Sequence, residues 1–438
     1  MAVGTGDARA QVIDKNDYDL EVFQGPVVAP SRVTGLAGAT NAVAQGVDGM
    51  ASNAAAPAVR APYSFDWIDY DLTASISFPG AYGGTDFANR GERGNRELIE
   101  RTDRFLYLDA GAMVQLGRFG LGVLADALQY DVAPAQPADA SGRPSPGLSL
   151  EYVRAHATAA YSFFDQQLVL GLGARVVLLR LQERGVGALD RIGGVFRSGL
   201  LAMAGAGPEV GAVVKPTSAP WRVGVTARAP VIGEDTGAPS AGVLRTGSFV
   251  APQRIVQPWE LEAGVALQLG PRPLNPRWID PQEHEQEAKS TLRGEELARE
   301  RRALRSQRQA RYDNWPHEHV LLLASVLLTG PSSQAVALEG FLDQRRELVG
   351  RKVSVAARFA AESEVLPQLL RMRAGVYIEP SRFVDGTARQ HFTFGGDLRI
   401  GRFSPFGLLG EHFVLGTSAF VDLSPRYQSF GLGLGAWH

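Results

Sequence analysis

The chain has 438 residues, with 46 acidic and 44 basic side chains and no cysteine. A formal net charge of −2 gives no overall attraction to nucleic acid, so we expect no nucleic-acid partner. The lack of cysteine excludes disulfide bonds and thiolate chemistry. The start of the chain, MAVGTGDARAQVIDKNDYD, lacks the basic and apolar regions of a signal peptide. We therefore expect either that the numbering begins at a mature chain or that the protein is not exported.

Alternation of apolar residues recurs along most of the chain. In WRVGVTARAPV, the odd positions from Trp221 to Val231 form an apolar face, while Arg222 and Arg228 lie on the opposite face. Strands of soluble proteins average about 5–6 residues, whereas tilted membrane strands need about 9–11. Most of the predicted strands exceed that length. The pattern predicts fourteen strands, at 63–78, 104–117, 119–131, 149–163, 167–182, 199–215, 220–231, 257–270, 318–330, 351–362, 367–379, 390–400, 411–423 and 427–437.

The two faces of these strands differ in a way that favours a membrane barrel. The apolar faces are aliphatic and almost free of charge, while the opposite faces mix glycine with charges of both signs. In hydrocarbon every backbone polar group must be paired within the protein, so such a sheet has to close on itself. We predict a closed antiparallel transmembrane β-barrel of about fourteen strands, with the charged faces inside. A soluble all-β protein is the alternative.

The connections alternate in length, as they do in outer-membrane barrels. Long loops alternate with tight turns, and we expect the turns to face the periplasm. This pattern indicates the outer membrane of a Gram-negative bacterium, with membrane lipid around the barrel. The predicted tight turns are Gly117–Gly120, Phe164–Gln167, Lys215–Ala219 and Ser363–Leu366.

Two segments do not follow the strand pattern. Residues 1–62 precede the first strand, and residues 271–317 interrupt the barrel, 63–438, between strands 8 and 9. The second segment is rich in charge and has a helix start at Asp280 and Pro281.

Side-chain spacing supports a helix in this insertion. Glu285 and Lys289, like Glu295 and Arg299, are favourable pairs four residues apart. Its apolar stripe is thin, consisting mainly of Leu292, Leu297 and Leu304. A solvated periplasmic helix and a docking helix for a protein partner both fit this pattern.

Residues 35–58, GLAGATNAVAQGVDGMASNAAAPA, resemble the N-terminal plug of the FadL-type long-chain fatty-acid transporters. That plug ends in Asn-Pro-Ala just before the first strand. The matching residues here are Asn53, Ala54 and Ala55, with Pro57 following. Because Ala54 lacks the fixed φ of a proline, we expect a less constrained bend.

The family resemblance extends to the barrel and implies a function. The strand number and the stretches at 369–383 and 429–437 are similar to those of the family. The resemblance implies that residues 1–62 form a plug inside the lumen. It also implies passive uptake of a hydrophobic small molecule such as a long-chain fatty acid.

One strand offers a candidate wall for such a ligand. HVLLLASVLLT, at 319–329, is apolar on both faces, which would direct Leu321, Leu323 and Leu327 into the lumen. These leucines would suit an acyl chain, or would simply pack against the plug.

Arginines on the inner faces offer a candidate site for a carboxylate head group. Arg371 and Arg373, two residues apart on one strand, are the best-spaced pair. Alternatively, the lumen charges pair with carboxylates of other strands or the plug and hold it in place. The other predicted lumen charges are Arg154, Arg175, Arg222, Arg228, Glu260, Glu262, Arg358, Asp397 and Arg399.

The sequence predicts neither an enzyme nor a cofactor or metal site. No nucleophile elbow or metalloprotease motif is present. His317 and His319 flank Glu318, but a lone pair of this kind is weak evidence for a metal. Because a fold does not fix function, the alternative role is a structural subunit of a secretion, motility or surface-assembly complex. Residues 271–317 would then contact a periplasmic protein.

Overall fold

The computed structural model describes residues 11–22, 25–62, 64, 66–80, 85–90, 100–134, 147–183, 201–235, 245–246, 249–278, 280–282, 293–384, 386–402 and 414–437. Within these ranges, fourteen long strands form one closed antiparallel sheet, which confirms the predicted barrel. Each strand pairs with the next, and the last pairs with the first, from Ser429 opposite Pro79 to Trp437 opposite Asp71. The strands are β1 Ile68–Pro79, β2 Glu100–Leu116, β3 Phe119–Pro134, β4 Leu148–Phe163, β5 Leu168–Glu183, β6 Leu201–Val214, β7 Trp221–Arg228, β8 Glu260–Leu269, β9 Val320–Thr329, β10 Ser354–Leu366, β11 Leu370–Glu379, β12 Arg389–Arg402, β13 Val414–Ser424 and β14 Tyr427–Trp437.

Tight turns between β2 and β3 and between β4 and β5 define the short-turn end of the barrel. The opposite end, reached by the loops after β1, β3 and β5, is the long-loop end. The predicted turn at Ser363–Leu366 is wrong, because β10 continues through Leu366. Glu364 belongs to the inner face of the strand, which made this stretch look like a polar turn. Glu364 is buried, and its carboxylate pairs with the Arg272 guanidinium at 2.8 Å.

The outer face of the barrel is an apolar belt. In β7, Trp221 and Val225 are exposed on this face, while Arg222, Thr226 and Arg228 are buried inside. The orientation predicted for this strand is therefore confirmed: its charged face points into the barrel and its apolar face points outward. The belt includes Leu72, Leu121, Val123, Leu172, Val265, Phe394 and Leu432.

The N-terminal segment, residues 11–62, passes through the lumen. Its strand Asp19–Glu21 pairs in parallel with Arg254–Gln257 and Ala335–Val336 at the long-loop end. At the short-turn end, the Arg60 guanidinium donates to the Gly117 carbonyl at 3.0 and 2.8 Å. The segment therefore spans the barrel from one end to the other. The division into domains at residue 62 stays a prediction.

Helices are few in the described part of the chain, and only α3 is longer than five residues. They are α1 Ser31–Gly35, α2 Gly46–Met50, α3 Glu295–Asp313 and α4 Leu338–Leu342, with 3-10 turns at Asn41–Val43 and Ala56–Ala58. The other short strands are Gln11–Val12, Val231–Asp235, Arg245–Thr246, Phe249–Val250 and Arg345–Arg346. None of these helices combines the length and the apolar character needed to cross a bilayer.

The helix predicted in the insertion is present as α3. The expected pair within it forms, with Arg299 Nη2 lying 3.4 Å from Glu295 Oε2. The other expected pair, Glu285 and Lys289, and Leu292 lie outside the described residues. The first half of α3 is exposed, whereas Tyr312 in its last turn is buried against the barrel.

Candidate functional site

Inward-facing glycines create room for the N-terminal segment near the short-turn end. A Cβ atom at Gly211 would lie 2.0 Å from Asn53 Oδ1, and one at Gly171 would lie 2.2 Å from the Ala54 carbonyl oxygen. A Cβ at Gly120 would lie 2.1 Å from the Pro57 carbonyl oxygen. Because real Cβ atoms do not approach so closely, the glycines are required for this docking. The positions that match the plug signature therefore rest directly on the barrel wall.

Asn53 is the most strongly anchored residue of that signature. It is fully buried, and its Nδ2 lies 3.1 Å from the Ala212 carbonyl and 3.3 Å from the Val225 carbonyl. Its Oδ1 accepts a hydrogen bond from the Ala55 backbone N–H at 3.0 Å. This Asx-type turn fixes the local bend at the position where the plug signature described above has a proline. The sequence expectation of a less constrained bend at Ala54 did not include this contact.

A row of opposite charges crosses the inner wall at mid-height. Glu209, Arg228 and Glu260 are neighbours in register on β6, β7 and β8. Arg228 lies 3.3 Å from both carboxylates and donates to the Ala51 carbonyl of the N-terminal segment at 2.7 Å. Arg175 binds Glu260 at 3.1 Å. The charges therefore hold the segment as well as each other.

Two further arginines follow the same arrangement. Arg154 binds Asp126 at 2.9 Å and donates to the Val28 carbonyl at 3.1 Å. Arg358 lies 3.4 Å from Glu262 and donates to the Gly38 carbonyl at 3.2 Å. Each arginine thus joins a carboxylate of the wall to the backbone of the N-terminal segment.

Arg222 differs from the other inner arginines. The expectation that it pairs with a carboxylate is wrong: its guanidinium donates to Asn275 Oδ1 at 2.6 Å and to the Leu274 carbonyl at 2.8 Å. Both partners belong to the chain that follows β8, which folds back under the mouth of the barrel. Arg222 is buried, so this neutral contact anchors the start of the insertion.

Arg371 and Arg373 both face the lumen, but only one borders open space. The Arg373 side chain has no exposed surface and lies against Glu362, at 3.4 Å, and Asp397. The Arg371 side chain is 24 % exposed and lies 3.7 Å from Glu362. Arg371, Asp397 and Arg399 line a cavity of about 140 Å³ near the short-turn end. A ligand role for either arginine stays a prediction.

The three leucines predicted on β9 do point inward. Leu321 and Leu323 are buried in a cluster with Leu36, Val43 and neighbouring alanines of the N-terminal segment. Leu327 is half-buried and lines a cavity of about 110 Å³ at the centre of the lumen. The first two therefore pack against the segment, as in the alternative interpretation, and only Leu327 borders a cavity.

Sequence reasoning missed an apolar region of the inner wall at the long-loop end. Leu128, Tyr152, Leu179 and Met203 are neighbours in register on β3 to β6, and all are buried. The same cluster contains Tyr18 and Leu20 of the N-terminal segment, together with Phe87, Tyr130, Leu150, Leu181, Phe341 and Tyr427. The signal was available, because along these strand ends the inward-facing positions change from charged to apolar residues.

The outer wall changes polarity at the same height. Gln129, Glu151 and Arg180 form a row in register on the outer face of β3, β4 and β5. A polar outer face does not suit hydrocarbon, so this row indicates the upper edge of the lipid belt. From this row to the long-loop end, the barrel has an apolar interior and a polar exterior. A cavity of about 50 Å³, lined by Leu20, Tyr130 and Leu150 among others, lies within that interior.

No cluster of three or more potential metal ligands occurs among the described residues. His319 Nδ1 lies 2.8 Å from the backbone oxygen of His317. Among the histidines that the structure describes, His391 has the most side-chain contacts, buried between Asp422 at 2.9 Å and Glu379 at 2.7 Å. These contacts tie β11, β12 and β13 together inside the wall.

These features define a class: a transmembrane β-barrel whose lumen is filled by its own N-terminal segment. No family model and no curated protein matches the sequence. Among solved structures, a Pseudomonas aeruginosa FadL homologue matches with a TM-score of 0.52 at 12 % identity, covering 98 % of this chain and 99 % of that one.

Two other solved structures support the same fold. The Ralstonia pickettii toluene transporter TbuX matches with a TM-score of 0.50 at 13 % identity, covering 95 % of this chain and 98 % of that one. CymD, a monoaromatic hydrocarbon channel, matches with a TM-score of 0.50 at 12 % identity, covering 94 % and 96 %. The predicted resemblance is confirmed at the level of the fold: the chain has a FadL-type barrel.

Proposed function

We propose that this protein is an outer-membrane channel of a Gram-negative bacterium for passive uptake of hydrophobic small molecules. The observation that carries the proposal is the apolar inner wall at the long-loop end, which comprises Leu128, Tyr152 and Leu179 in one row. In the usual orientation of outer-membrane barrels this end faces the outside. An apolar interior above the lipid belt offers a hydrophobic molecule a favourable environment before it reaches the membrane.

Passage along this route requires movement of the N-terminal segment. Tyr18 and Leu20 are part of the apolar cluster, and the cavity beside Leu20 is only about 50 Å³. An apolar cavity that accommodates benzene is about 150 Å³. We therefore propose that residues 11–22 move away from the wall when a ligand enters.

For the ligand, we propose either a long-chain fatty acid or a monoaromatic hydrocarbon. The fatty acid follows from the family resemblance of the plug sequence. The hydrocarbon follows from the solved structures of similar fold, two of which are described as toluene or monoaromatic hydrocarbon channels. The head group distinguishes the two, since only a fatty acid would use an arginine. Arg371, which borders the 140 Å³ cavity, is the better candidate, and Arg373 would position it through Glu362.

The first experiment compares uptake of radiolabelled oleate and toluene into cells that lack their own channel for either compound. Leu150→Asn places an amide in the apolar wall and is expected to lower uptake severalfold. The matched control is Glu151→Gln, one residue away on the outer face. Equal uptake by Leu150→Asn and the unaltered protein, with both variants correctly folded, contradicts the proposed route. Arg371→Ala should lower the uptake of oleate and leave the uptake of toluene unchanged.

The second experiment tests the movement of the N-terminal segment. Leu20 and Ile255 are partners in parallel register, and both are buried. Because the chain has no cysteine, a Leu20→Cys/Ile255→Cys pair would form the one disulfide. We expect the oxidised variant to lose uptake and the reduced variant to regain it. Uptake that is the same in both redox states contradicts movement of residues 11–22.

The second candidate function is a structural role in a surface-assembly complex. It is favoured by the exposed first half of α3, which lies at the short-turn end. Deletion of residues 280–312 should then release a periplasmic partner protein and leave hydrophobic uptake unchanged. Reduced uptake after the deletion favours the channel instead.

A further inference from the structure

A separate cavity of about 410 Å³ lies at the short-turn end, between the mouth of the barrel and α3. It is bounded by the turn after β6, the chain after β8 and the last turns of α3. Among its described lining residues there is no carboxylate. The cationic lining side chains are Arg60, Lys215, Arg272, Arg277, Arg308 and Arg311.

Several of these cations are paired with carboxylates that do not line the cavity. Arg60 binds Asp69 at 2.7 Å, Arg272 binds Glu364 at 2.8 Å, and Arg277 lies 3.2 Å from Asp165. Lys215 is different. It is 5 % exposed, and the single polar contact of its ammonium within the described chain is Gln166 Oε1 at 3.4 Å.

Unsatisfied donors converge on the same wall. Gln166 is 3 % exposed, and its Nε2 has no acceptor in the described part of the chain. The indole Nε1 of Trp278, another lining residue, is likewise buried without an acceptor there. Together with the ammonium of Lys215, these groups offer only N–H donors. Apart from the long contact between Lys215 and Gln166, these buried donors have no acceptor in the described chain, which is costly, and a bound anion would supply the acceptors.

The remainder of the wall suits an apolar body. Trp278 is held by the Arg60 guanidinium, which lies 4.2 Å from the ring centroid. Tyr312 and Trp315 form an edge-to-face pair with ring centroids 5.4 Å apart, and Leu274 also lines the cavity. A purely inorganic anion would leave these aromatic and aliphatic surfaces without a contact.

We propose that this cavity binds a small organic carboxylate with an apolar body. Its carboxylate lies at Lys215 and Gln166, and its apolar part lies against Trp278 and Trp315. The site is separate from the apolar wall of the lumen and does not depend on uptake, because binding is measured on the purified protein.

The experiment uses the full-length protein in a non-ionic detergent at about pH 6.5. At this pH benzoate is negatively charged and a lysine amine is positively charged. Isothermal titration with benzoate should give one saturable site per chain. Lys215→Met keeps the length of the side chain and removes the ammonium, so we expect affinity to fall about tenfold or more. The matched control is Lys352→Met, an exposed lysine on the loop before β10, which should bind benzoate unchanged.

Two further titrations test the chemistry of the site. Benzamide, the neutral analogue, should bind at least about tenfold more weakly than benzoate. Inorganic phosphate should not displace benzoate at equal concentration. Equal binding of benzamide, or displacement by phosphate, overturns the proposal, as does unchanged benzoate affinity in Lys215→Met. Because this variant removes a buried charge, it is expected to fold, and its heat-modified mobility on a gel checks this.

Discussion

The two halves of the lumen contact the N-terminal segment through different kinds of residue. Towards the short-turn end the wall carries glycines and charges, and the N-terminal segment fits so closely that a Cβ at Gly211 would overlap Asn53. Towards the long-loop end the wall is apolar and aromatic, and the same segment contributes Tyr18 and Leu20 to a hydrophobic cluster. Packing against glycine is specific, whereas apolar contact is non-directional. The half at the short-turn end therefore fixes the segment. Under the proposed function, the half at the long-loop end is the part that exchanges contacts with a ligand.

The largest expected effect lies at the boundary between the halves. Arg154 binds both Asp126 and the Val28 carbonyl, and Arg154→Leu leaves the Asp126 carboxylate buried without its partner. We expect a loss of about 3–5 kcal/mol in the free energy of unfolding, measured by denaturant titration in detergent. The double variant Arg154→Leu/Asp126→Leu should recover most of it. A double variant as unstable as the single one would show that the contact to Val28 dominates.

The next effect tests the tight fit of the half at the short-turn end. Gly211→Ala forces the segment or the wall to shift, at a cost of roughly 1–3 kcal/mol in the free energy of unfolding. Ala212→Val, on the lipid-facing side of the same strand, adds bulk without this overlap and serves as the control. The difference between the two transition midpoints in denaturant measures the contribution of the close approach. No difference would mean that the segment is not tightly held.

An effect that is smaller for each pH unit concerns the pH dependence of stability. Burial, together with the charges of Arg222 and Arg60, lowers the pKa of Lys215 from 10.5 to about 7. Between these values the unfolded chain binds a proton that the folded chain does not. Stability should therefore rise with pH across this window, by at most about 1.4 kcal/mol per pH unit. Below pH 7 both states are protonated, and the folded state keeps the full cost of the buried charge. In Lys215→Met this rise should vanish, as shown by unfolding midpoints across the window, whereas Lys352→Met should retain it.

The smallest effect is expected outside the lumen. Glu295 and Arg299 are paired on α3, but their side chains are 90 % and 73 % exposed. Arg299→Ala should change the stability of the protein by no more than about 0.5 kcal/mol, because water screens the pair. A larger shift in the denaturation midpoint would indicate that this part of α3 contacts the barrel.

The barrel was predictable because lipid imposes a simple rule on each strand. Outward residues such as Leu121 and Val225 must be apolar, and this alternation survives at low sequence identity. The site was less predictable, since it depends on contacts between distant segments. Nothing in the local sequence links Asn53 to Gly211, or Arg222 to Asn275. The turn predicted at Ser363–Leu366 failed for the same reason, because Glu364 is polar on account of Arg272 on another segment.

The apolar wall at the long-loop end was missed although its residues are visible in the sequence. The inner faces were expected to mix glycine with charges, and the only apolar inner face predicted was that of β9, which is apolar at both parities along its length. In β3 and β5 the change occurs within a strand, where Asp126 is followed by Leu128 and Arg175 by Val177. Such a change marks the point at which the wall leaves the bilayer.

The course of the N-terminal segment has a consequence for how the barrel is made. The segment runs from Asp19–Glu21, paired at the long-loop end, to Arg60, anchored at the short-turn end. A finished barrel with a closely filled lumen offers no route for threading such a chain. We therefore expect the seam between β14 and β1, whose residues are some of the most distant in sequence, to close around a segment already in place. On this expectation, the glycine-lined wall and the N-terminal segment adopt their final conformations together while the barrel forms.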